Sequence, residues 1–269
     1  MLLTGEQDGY YGAFEPRLET LADTLRRGWL YEGQRSPASG EPRGRPRGDL
    51  ERARLVYCLQ NHDQIGNRAR GERLSDLVPE TDVRAATLLL AFSPSTVLLF
   101  HGQEWGASAP FLYFTDHEPQ LGANVTEGRQ REFGSFDSFG DESGGSMVPD
   151  PQDEQTFRRS TLDWDERSRE PHAGLLALHR AALALRREDA VLSARDGDLQ
   201  VARLGEMLVV IRSSGGARRT LVWNLGDAPR DLAIAPHARM LLESREGAVQ
   251  CDDGARRTLA PRSAVVLEG

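Results

Sequence analysis

The sequence predicts an α/β region over residues 1–190, followed by a small antiparallel β-sandwich over residues 191–269. Two short apolar runs, Leu55 to Leu59 and Val97 to Phe100, are each followed at once by a polar loop and then by helix-forming residues. This alternation of strand, loop and helix is typical of parallel strands. After Val191 the pattern changes to short alternating strands separated by turns. The two patterns together predict an α/β unit and an all-β unit in one chain.

Three segments of the first region have the apolar spacing of amphipathic helices. They are Arg17 to Trp29, Asp82 to Phe92, and His172 to Arg187. Thr81 or Asp82 is the expected cap of the second helix. The stretch from Tyr31 to Asp49 is crowded with Gly, Pro, Ser and Arg, and it predicts a long surface loop.

Six strands are expected in the second region, and turn signals rich in Gly and Asp separate them. The strands are Leu199 to Leu204, Met207 to Ser213, Arg219 to Leu225, Arg230 to Ile234, Arg239 to Leu242, and Ser263 to Leu267. The turn signals are Asp196 to Asp198, Ser214 to Gly216, and Asp252 to Gly254. Short alternating strands of this kind predict a sandwich. We place the domain boundary near Glu188 to Leu192.

Composition excludes some classes of partner. The net charge of -8 argues against binding to nucleic acid or to acidic membrane surfaces, and it suits a neutral ligand such as a sugar. Met1 to Tyr11 lacks the basic and apolar regions of a secretory signal, and the apolar stretch Ala85 to Phe100 is too short and interrupted to span a bilayer. Cys58 and Cys251 are far apart and read as cytosolic thiols. We therefore expect a cytoplasmic protein.

Every basic residue of the chain is Arg, and there is no Lys. The simplest explanation of this bias is the base composition of the genome. It also has a physical consequence, because the planar guanidinium can grip a carboxylate with two parallel hydrogen bonds where an ammonium cannot.

The sharpest motif is the polar stretch from Gln60 to Arg68, which directly follows the first predicted strand. It contains one His, one Asp and several side-chain amides, and these groups supply the acceptors and donors that sugar hydroxyls require. Asp63 is also suited to stabilise the positive charge of an oxocarbenium-like transition state. The alternative is a strand-end turn in which Asn and Asp only cap the backbone.

The second motif, Phe100 to Gly106, follows the second strand and places a polar pair and a Trp between two glycines. Trp105 could stack on a sugar face, and Glu104 could act as an acid or base. In the alternative interpretation Trp105 belongs to the core and Glu104 pairs with an Arg. Residue types alone leave both interpretations open.

Four other features carry weaker signals. The aromatic run Phe111 to Asp116 is either the wall of a carbohydrate groove or core. Arg129 to Glu132 is expected to be a solvated or salt-bridged stretch without a functional role. His172 and His179 are expected at the surface or at a helix end. No cluster of His, Asp and Glu has metal spacing, so no metal is expected.

Two of these segments resemble conserved parts of the α-amylase superfamily. Cys58 to Asp63, which ends in Asn-His-Asp after a strand, is similar to the region that follows the seventh strand of the superfamily's (β/α)8 barrel. Pro94 to Gly106 is similar to the segment around the eighth strand. The resemblance implies that residues 1–190 are the last strands and helices of a (β/α)8 TIM barrel, with residues 191–269 as its C-terminal β-sandwich domain.

Within the superfamily, the similarity is greatest to malto-oligosyltrehalose trehalohydrolases. The segments that carry it are Tyr31 to Pro37, Gln60 to Ala69, Pro110 to Asp116, and Glu127 to Phe133. Such an enzyme is a retaining glycoside hydrolase that cuts the α-1,4 bond next to the terminal trehalose of maltooligosyl trehalose and releases trehalose. Branching and debranching enzymes of the superfamily are the alternatives.

The resemblance also implies roles for individual residues. Asp63 would be the third catalytic carboxylate, which binds sugar hydroxyls and stabilises the transition state without being the nucleophile or the proton donor. Substrate-binding roles are expected for His62, Gln64, Ile65, Gly66, Asn67, Gln103 and Glu104. No cofactor is implied.

One departure from the family pattern has a chemical consequence. The family's nucleophile and general acid follow the fourth and fifth barrel strands, which have no counterpart in this sequence, and the chain resembles the family only from about the sixth helix onwards. Retaining hydrolysis needs two carboxyl groups about 5–5.5 Å apart, so Asp63 alone is insufficient. We therefore expect the isolated chain to be inactive and to need an amino-terminal barrel segment as its partner. The alternatives are a non-catalytic carbohydrate-binding protein and a new catalytic pair of Asp63 with Glu104.

Overall fold

The fold was analysed in a computed structural model, which describes residues 1–7, 11–12, 14–37, 39–133, 148–195, 197–233, 238–251 and 257–269. The helices are α1 (Leu18–Arg27), α2 (His62–Gly66), α3 (Leu74–Leu77), α4 (Glu80–Phe92), α5 (Pro119–Phe133), α6 (Glu154–Arg159), α7 (His172–Glu188) and α8 (Ala190–Ser193). The strands are β1 (Glu32–Arg35), β2 (Pro42–Gly44), β3 (Val56–Tyr57), β4 (Thr96–Val97), β5 (Asp198–Leu204), β6 (Met207–Ser214), β7 (Ala217–Asn224), β8 (Arg230–Asp231), β9 (Arg239–Glu243), β10 (Val249–Cys251), β11 (Arg257–Leu259) and β12 (Ser263–Glu268).

Strands β3 and β4 form the parallel pair that the sequence predicts. Val56 lies opposite Thr96, and the ladder continues where the backbone N–H of Leu98 donates to the carbonyl oxygen of Tyr57 at 2.9 Å. Helix α4 connects the two strands, as a parallel pair requires. Both strands are shorter than the apolar runs that predicted them. The α/β prediction for the first region is nevertheless confirmed.

Helix α4 is the centre of the core. Ten of its 13 residues are buried, and it packs against α7 and β12. Its cap differs from the prediction, because the helix begins at Glu80 after Pro79 and no side chain caps it. Asp82 lies inside the helix and is 1% exposed. Thr81 and Asp82 are therefore not the caps that the local sequence indicated.

The second region contains two antiparallel sheets, and this prediction is confirmed. The larger sheet has the order β5-β6-β7-β12-β9, and the smaller has the order β10-β11-β8. Alternate residues of the larger sheet face opposite ways. Leu208, Leu221 and Trp223 pack against the helical region, whereas Val222 and Val265 pack against the smaller sheet. Strands β10 and β11, three residues each, were not predicted.

The prediction for residues 1–49 needs two corrections. Helix α1 ends at Arg27, because Gly28 adopts a left-handed conformation with φ of 113°. A Cβ atom at Gly28 would lie 2.8 Å from the Leu55 Cδ1 atom, so the close approach of Leu55 also favours glycine at this helix end. Strands β1 and β2 pair as an antiparallel hairpin within the segment that was predicted to be a loop.

The region between the second motif and α7 contains two helices, α5 and α6, that were not predicted. Ile234, Asp196 and the turn Asp252 to Gly254 lie outside the described residues. The boundary near Glu188 to Leu192 stays a prediction. No helix among the described residues is both long enough and apolar enough to cross a membrane.

Candidate functional site

The first polar motif forms the start of α2, directly after β3. The side-chain oxygen of Asn61 accepts a hydrogen bond from the backbone N–H of Gln64 at 2.9 Å, which caps the helix. The two side chains that follow are turned to solvent: His62 is 70% exposed and Asp63 is 71% exposed. Their polar atoms, His62 Nε2 and Asp63 Oδ1, are 3.3 Å apart. Asn61 therefore has the backbone role of the alternative interpretation, while His62 and Asp63 remain available to a ligand.

The other predicted site residues of this motif divide by burial. Gln64 and Asn67 are exposed, whereas Ile65 and Gly66 are buried. Ile65 is only 2% exposed. A part for Ile65 and Gly66 in binding would therefore come through holding α2 in place and not through side-chain contact with a ligand.

The second polar motif forms a tight loop after β4. Gly102 and Gly106 both have left-handed backbones, with φ of 82° and 63°, and they bracket a single 3₁₀ turn, Gln103–Trp105. The left-handed region is open mainly to glycine, so the two glycines set the shape of this loop.

The side chains of this turn point into the protein. Gln103 is 3% exposed, and its side-chain oxygen accepts from the Phe100 N–H at 3.3 Å. Trp105 is 4% exposed, which is the core interpretation. Glu104 is half-buried and forms no ion pair within 4.0 Å among the described residues. One oxygen of Glu104 and the side-chain nitrogen of Gln103 are buried without a hydrogen-bond partner among the described residues.

Phe111 joins the two loops. Its ring meets the His101 ring edge-on at 5.4 Å between centroids, and a Cβ atom on Gly66 would lie 3.5 Å from the same ring. The Phe111 ring therefore lies against both the exposed His101 side chain and α2, the helix that carries Asp63. Burial and the nearby charge of Arg73 lower the pKa of His101, against the opposing influence of Glu104. His101 was not among the predicted site residues, although it stands within the second motif.

Three residues hold the loop after β4 through hydrogen bonds. The Arg73 guanidinium donates to the carbonyl oxygens of His101 and Ala109, at 2.9 and 2.6 Å. The Glu166 carboxylate accepts from both the hydroxyl and the backbone N–H of Ser108. Burial alone would raise the pKa of Glu166, but these two hydrogen bonds, the charge of His172 and a hydrogen bond from the Trp105 side chain together lower it. The His172 ring completes the set with Nδ1 2.9 Å from the Trp105 carbonyl oxygen.

Arg129 corrects the prediction of a solvated charge run. It is 7% exposed, and its guanidinium donates to the carbonyl oxygens of Gly66 and Arg68, at 3.3 and 3.2 Å. It also lies 4.3 Å from the centre of the Tyr113 ring, a cation–π contact. Helix α5 thereby holds the end of α2 from behind. Apolar periodicity could not indicate this burial, because two of the three buried residues on this helix face, Gly122, Arg129 and Phe133, lack an apolar side chain.

The aromatic run after the second motif is partly core and partly surface. Leu112 is 2% exposed, whereas Phe114 is 36% and Phe157 of α6 is 54% exposed. The rings of Phe111, Phe114 and Phe157 form a row with edge-on contacts at 5.9 and 5.3 Å. Leu112 therefore belongs to the core, and a part for the exposed rings in a carbohydrate groove stays a prediction.

The electrostatic surroundings separate the two motif carboxylates. Glu104 interacts with Arg73, His101 and His179, whereas the nearest partner of Asp63 is His62. Among the described residues, no hydrogen bond or shared partner connects Asp63 with Glu104. Within the same residues, no group of three or more His, Cys, Asp or Glu side chains could hold a metal ion. His179, expected at the surface, is 2% exposed and lies between α7 and α4.

Sequence relatives match most of the chain. It is 50% identical over 236 residues to a malto-oligosyltrehalose trehalohydrolase of Deinococcus radiodurans, with 86% of this chain and 38% of the relative covered. It is 41% identical over 275 residues to one of Brevibacterium helvolum, with 99% of this chain and 44% of the relative covered. The chain thus spans about two fifths of the length of these relatives. A family model described as a domain of unknown function, DUF3459, matches residues 194–266.

Solved structures agree. A Salmonella typhimurium protein assigned as an α-amylase superposes with a TM-score of 0.83 at 33% identity, over all of this chain and 44% of that one. A trehalulose synthase mutant superposes with a TM-score of 0.52 at 15% identity, over 82% of this chain and 44% of that one, and it shows the fold alone.

The parallel pair, its polar strand-end loops and the β domain behind them define a part of a β/α-barrel protein of the α-amylase superfamily. Within that superfamily, the chain corresponds to a carboxy-terminal portion of malto-oligosyltrehalose trehalohydrolases, which it matches at 39–50% identity over most of its length.

Proposed function

We propose that this chain is the carboxy-terminal part of a retaining glycoside hydrolase that cuts the α-1,4 bond next to the terminal trehalose of maltooligosyl trehalose and releases trehalose. The observation that carries the proposal is the placement of Asp63. It stands in the first turn of α2 at the carboxyl end of a parallel strand, 71% exposed and 3.3 Å from His62. In β/α barrels the catalytic groups collect at this end of the strands.

In this proposal Asp63 and His62 bind the hydroxyls of one sugar, and the Asp63 carboxylate stabilises positive charge on its ring. Exposed Gln64 and Asn67 add amide contacts to the sugar. The His101 ring is held near α2 by its contact with the Phe111 ring. The nucleophile and the general acid come from a preceding barrel segment, because retaining chemistry needs two carboxyl groups about 5–5.5 Å apart. Gln103 and Glu104 support the loop after β4 from the protein interior. A cytoplasmic location stays a prediction.

The test supplies the missing segment. The chain is produced fused to the preceding part of the Deinococcus radiodurans relative, and trehalose release from maltooligosyl trehalose is measured. The fusion should release trehalose and the chain alone should not. Formation of branch points or removal of branches without trehalose release would point instead to a branching or debranching activity.

Asp63→Asn tests the residue itself. This change keeps the shape and removes the charge, and it should lower kcat by about a hundredfold or more, the range seen when one preorganised electrostatic group is lost. Asp198→Asn, an exposed aspartate in β5, is the matched control and should leave kcat within twofold (about the scatter of such assays). An Asp63→Asn fusion with unchanged kcat would refute the role given to Asp63.

A non-catalytic carbohydrate-binding protein is the second candidate. The exposed row of Phe114 and Phe157 favours it, because apolar sugar faces stack on aromatic rings. It predicts that the chain alone binds maltooligosaccharides, and that Asp63→Asn changes nothing in a fusion that happens to be active. Calorimetric titration of the chain with maltoheptaose separates the two candidates.

A further inference from the structure

Arg73 stands apart from the surface arginines of the chain. It is 0% exposed, and no acidic side chain among the described residues lies within 4.0 Å of its guanidinium. Instead it donates from Nε to the carbonyl oxygen of Ala109 at 2.6 Å and from Nη1 to that of His101 at 2.9 Å. One guanidinium thus closes the two ends of the loop that carries the second motif.

The backbone next to Arg73 reaches the other motif. The N–H of Leu74 donates to the side-chain oxygen of Gln60 at 2.9 Å, and Gln60 is only 6% exposed. Gln60 directly precedes Asn61, the residue that caps α2. The Arg73 side chain and the Leu74 N–H therefore bond to the two strand-end loops from neighbouring positions of the chain.

This arrangement is more specific than core filling needs. A buried guanidinium costs several kcal/mol of desolvation, and replacing buried charge by apolar residues of similar size is often neutral or stabilising. What an apolar side chain cannot supply is a rigid planar fork that reaches two carbonyl oxygens eight positions apart in the chain. One nitrogen of the Arg73 guanidinium and one oxygen of Glu104 remain buried without a hydrogen bond, so the interior under this loop is polar.

We infer that Arg73 is a positioning residue: it fixes the loop His101 to Ala109 against the segment Gln60 to Asn67, and so sets the distance between His101 and the Asp63 side chain. The inference rests on the proposed function for its effect on catalysis. Its structural part, the coupling of the two loops, does not depend on that function.

The test compares Arg73→Lys with Arg186→Lys. Arg186 is a matched control because its guanidinium also donates to backbone carbonyls, those of Ala91, Ser93 and Ser95, but these precede β4, whereas the loop held by Arg73 follows β4. Each change keeps a positive charge and loses the fork. Both variants should therefore unfold at similar, slightly lower temperatures.

Two measurements are made on these variants. In the active fusion, Arg73→Lys should lower kcat/KM at least about tenfold, since an error of 1 Å in a reacting group costs up to about a hundredfold, whereas Arg186→Lys should change it less than twofold. In the chain itself, amide hydrogen exchange should become faster over both 60–67 and 101–109 in Arg73→Lys, and over neither in Arg186→Lys.

Each result decides something separate. A wild-type fusion that releases no trehalose refutes the proposed function, and the exchange experiment still decides the coupling. Unchanged protection of either loop in Arg73→Lys overturns the inference, as do equal losses of kcat/KM in the two variants. Should Arg73→Lys not fold, Gln60→Met removes the other side of the joint at similar volume and should loosen the same two loops.

Discussion

Gly71 offers a sharp test of how the first motif is packed. Its backbone is left-handed, with φ of 62°, and a Cβ atom there would lie 2.5 Å from the carbonyl carbon and oxygen of Phe111. Gly205, in the turn between β5 and β6, has nearly the same φ of 61°, and a Cβ atom there would meet nothing within 4 Å. The two positions share the backbone cost of a side chain and differ only in the clash.

The magnitudes follow from this difference. A left-handed L-residue costs about 1–2 kcal/mol, so Gly205→Ala should lower the free energy of unfolding by about 1 kcal/mol. Gly71→Ala adds the clash, and the neighbours are backbone atoms that cannot rotate away. The Phe111 N–H also donates to the Gly71 carbonyl oxygen at 2.9 Å, so the segments can separate only by breaking that bond. Overpacking of about 1–3 kcal/mol on top of the backbone cost gives a total of about 3 kcal/mol.

Urea unfolding of the two variants and the wild type measures this directly. At about 2–4 °C per kcal/mol for a chain of this size, thermal unfolding should separate the variants by about 4–8 °C. Equal destabilisation of Gly71→Ala and Gly205→Ala, within about 0.5 kcal/mol (the usual spread for changes without a specific mechanism), would refute the packing of Gly71 on Phe111 and with it the link between the two motifs.

Two buried aspartates should respond to pH in opposite directions. Burial raises the pKa of Asp82, whose pairing with Arg262 at 3.5 Å only partly offsets it, so the folded state binds that proton more tightly and loses stability as pH rises above the usual carboxyl range. Asp82→Asn should therefore be less stable than the wild type at pH 3, relative to their difference at pH 7, in urea titrations; a difference that does not change with pH would contradict this. Asp189 has a lowered pKa, because hydrogen bonds from Arg219 and the backbone outweigh its burial, so its contribution is present at neutral pH and disappears as pH falls. Asp189→Ala should cost about 2 kcal/mol at pH 7 and progressively less in acid, since it removes a charge-assisted hydrogen bond from Arg219, which keeps Glu268 as its other carboxylate partner at 3.0 Å. Glu127→Ala, at an exposed position of α5, should cost less than about 0.5 kcal/mol at either pH; similar losses for both variants would show that burial of the Asp189–Arg219 pair is unimportant.

The main helices and most of the strands could be predicted from the sequence because local signals determine them, whereas α5, α6, β1, β2, β10 and β11 could not. The apolar run at Leu55 to Leu59 and the helical spacing of His172 to Arg187 both depend on neighbours a few residues away. Strand lengths could not be read in this way. Of the two apolar runs, only Val56–Tyr57 and Thr96–Val97 form strand pairs in the described structure. The length of a strand depends on its partner strand and not on the apolar run itself.

The predicted site shows the same division. Exposure of Asp63 and burial of Ile65 follow from a short capped helix, whose cap Asn61 was visible in the sequence. The prediction that His179 lies at the surface or at a helix end was wrong. Leu175, Leu178 and Ala182 share its face of α7, and their apolar side chains indicated that this face is buried. Arg73 could not be found from the sequence, because the carbonyl groups it binds lie 28 and 36 positions away.

Other arginines of the chain also donate to backbone carbonyl oxygens, in these cases at the ends of helices. The last carbonyl oxygens of a helix have no partner within it and carry the negative end of its dipole. At the end of α1, the carbonyl oxygens of Leu25 and Arg26 both accept from the single guanidinium of Arg52. At the end of α4, Ala91 accepts from Arg186 and Phe92 from Arg212.

The absence of lysine therefore has a structural meaning that composition did not reveal. The sequence indicated that arginine forks would grip carboxylates, whereas at these helix ends and at the second motif they grip backbone carbonyls. Burial, followed by the charge of Arg186, lowers the pKa of Arg212 to about 10, which still leaves it charged at neutral pH and able to donate. A carbonyl is offered by every residue, so the sequence marks the donor but never the acceptor. Only the fold decides which arginines connect separate elements, and Arg73 and Arg129 are two that do so at the candidate site.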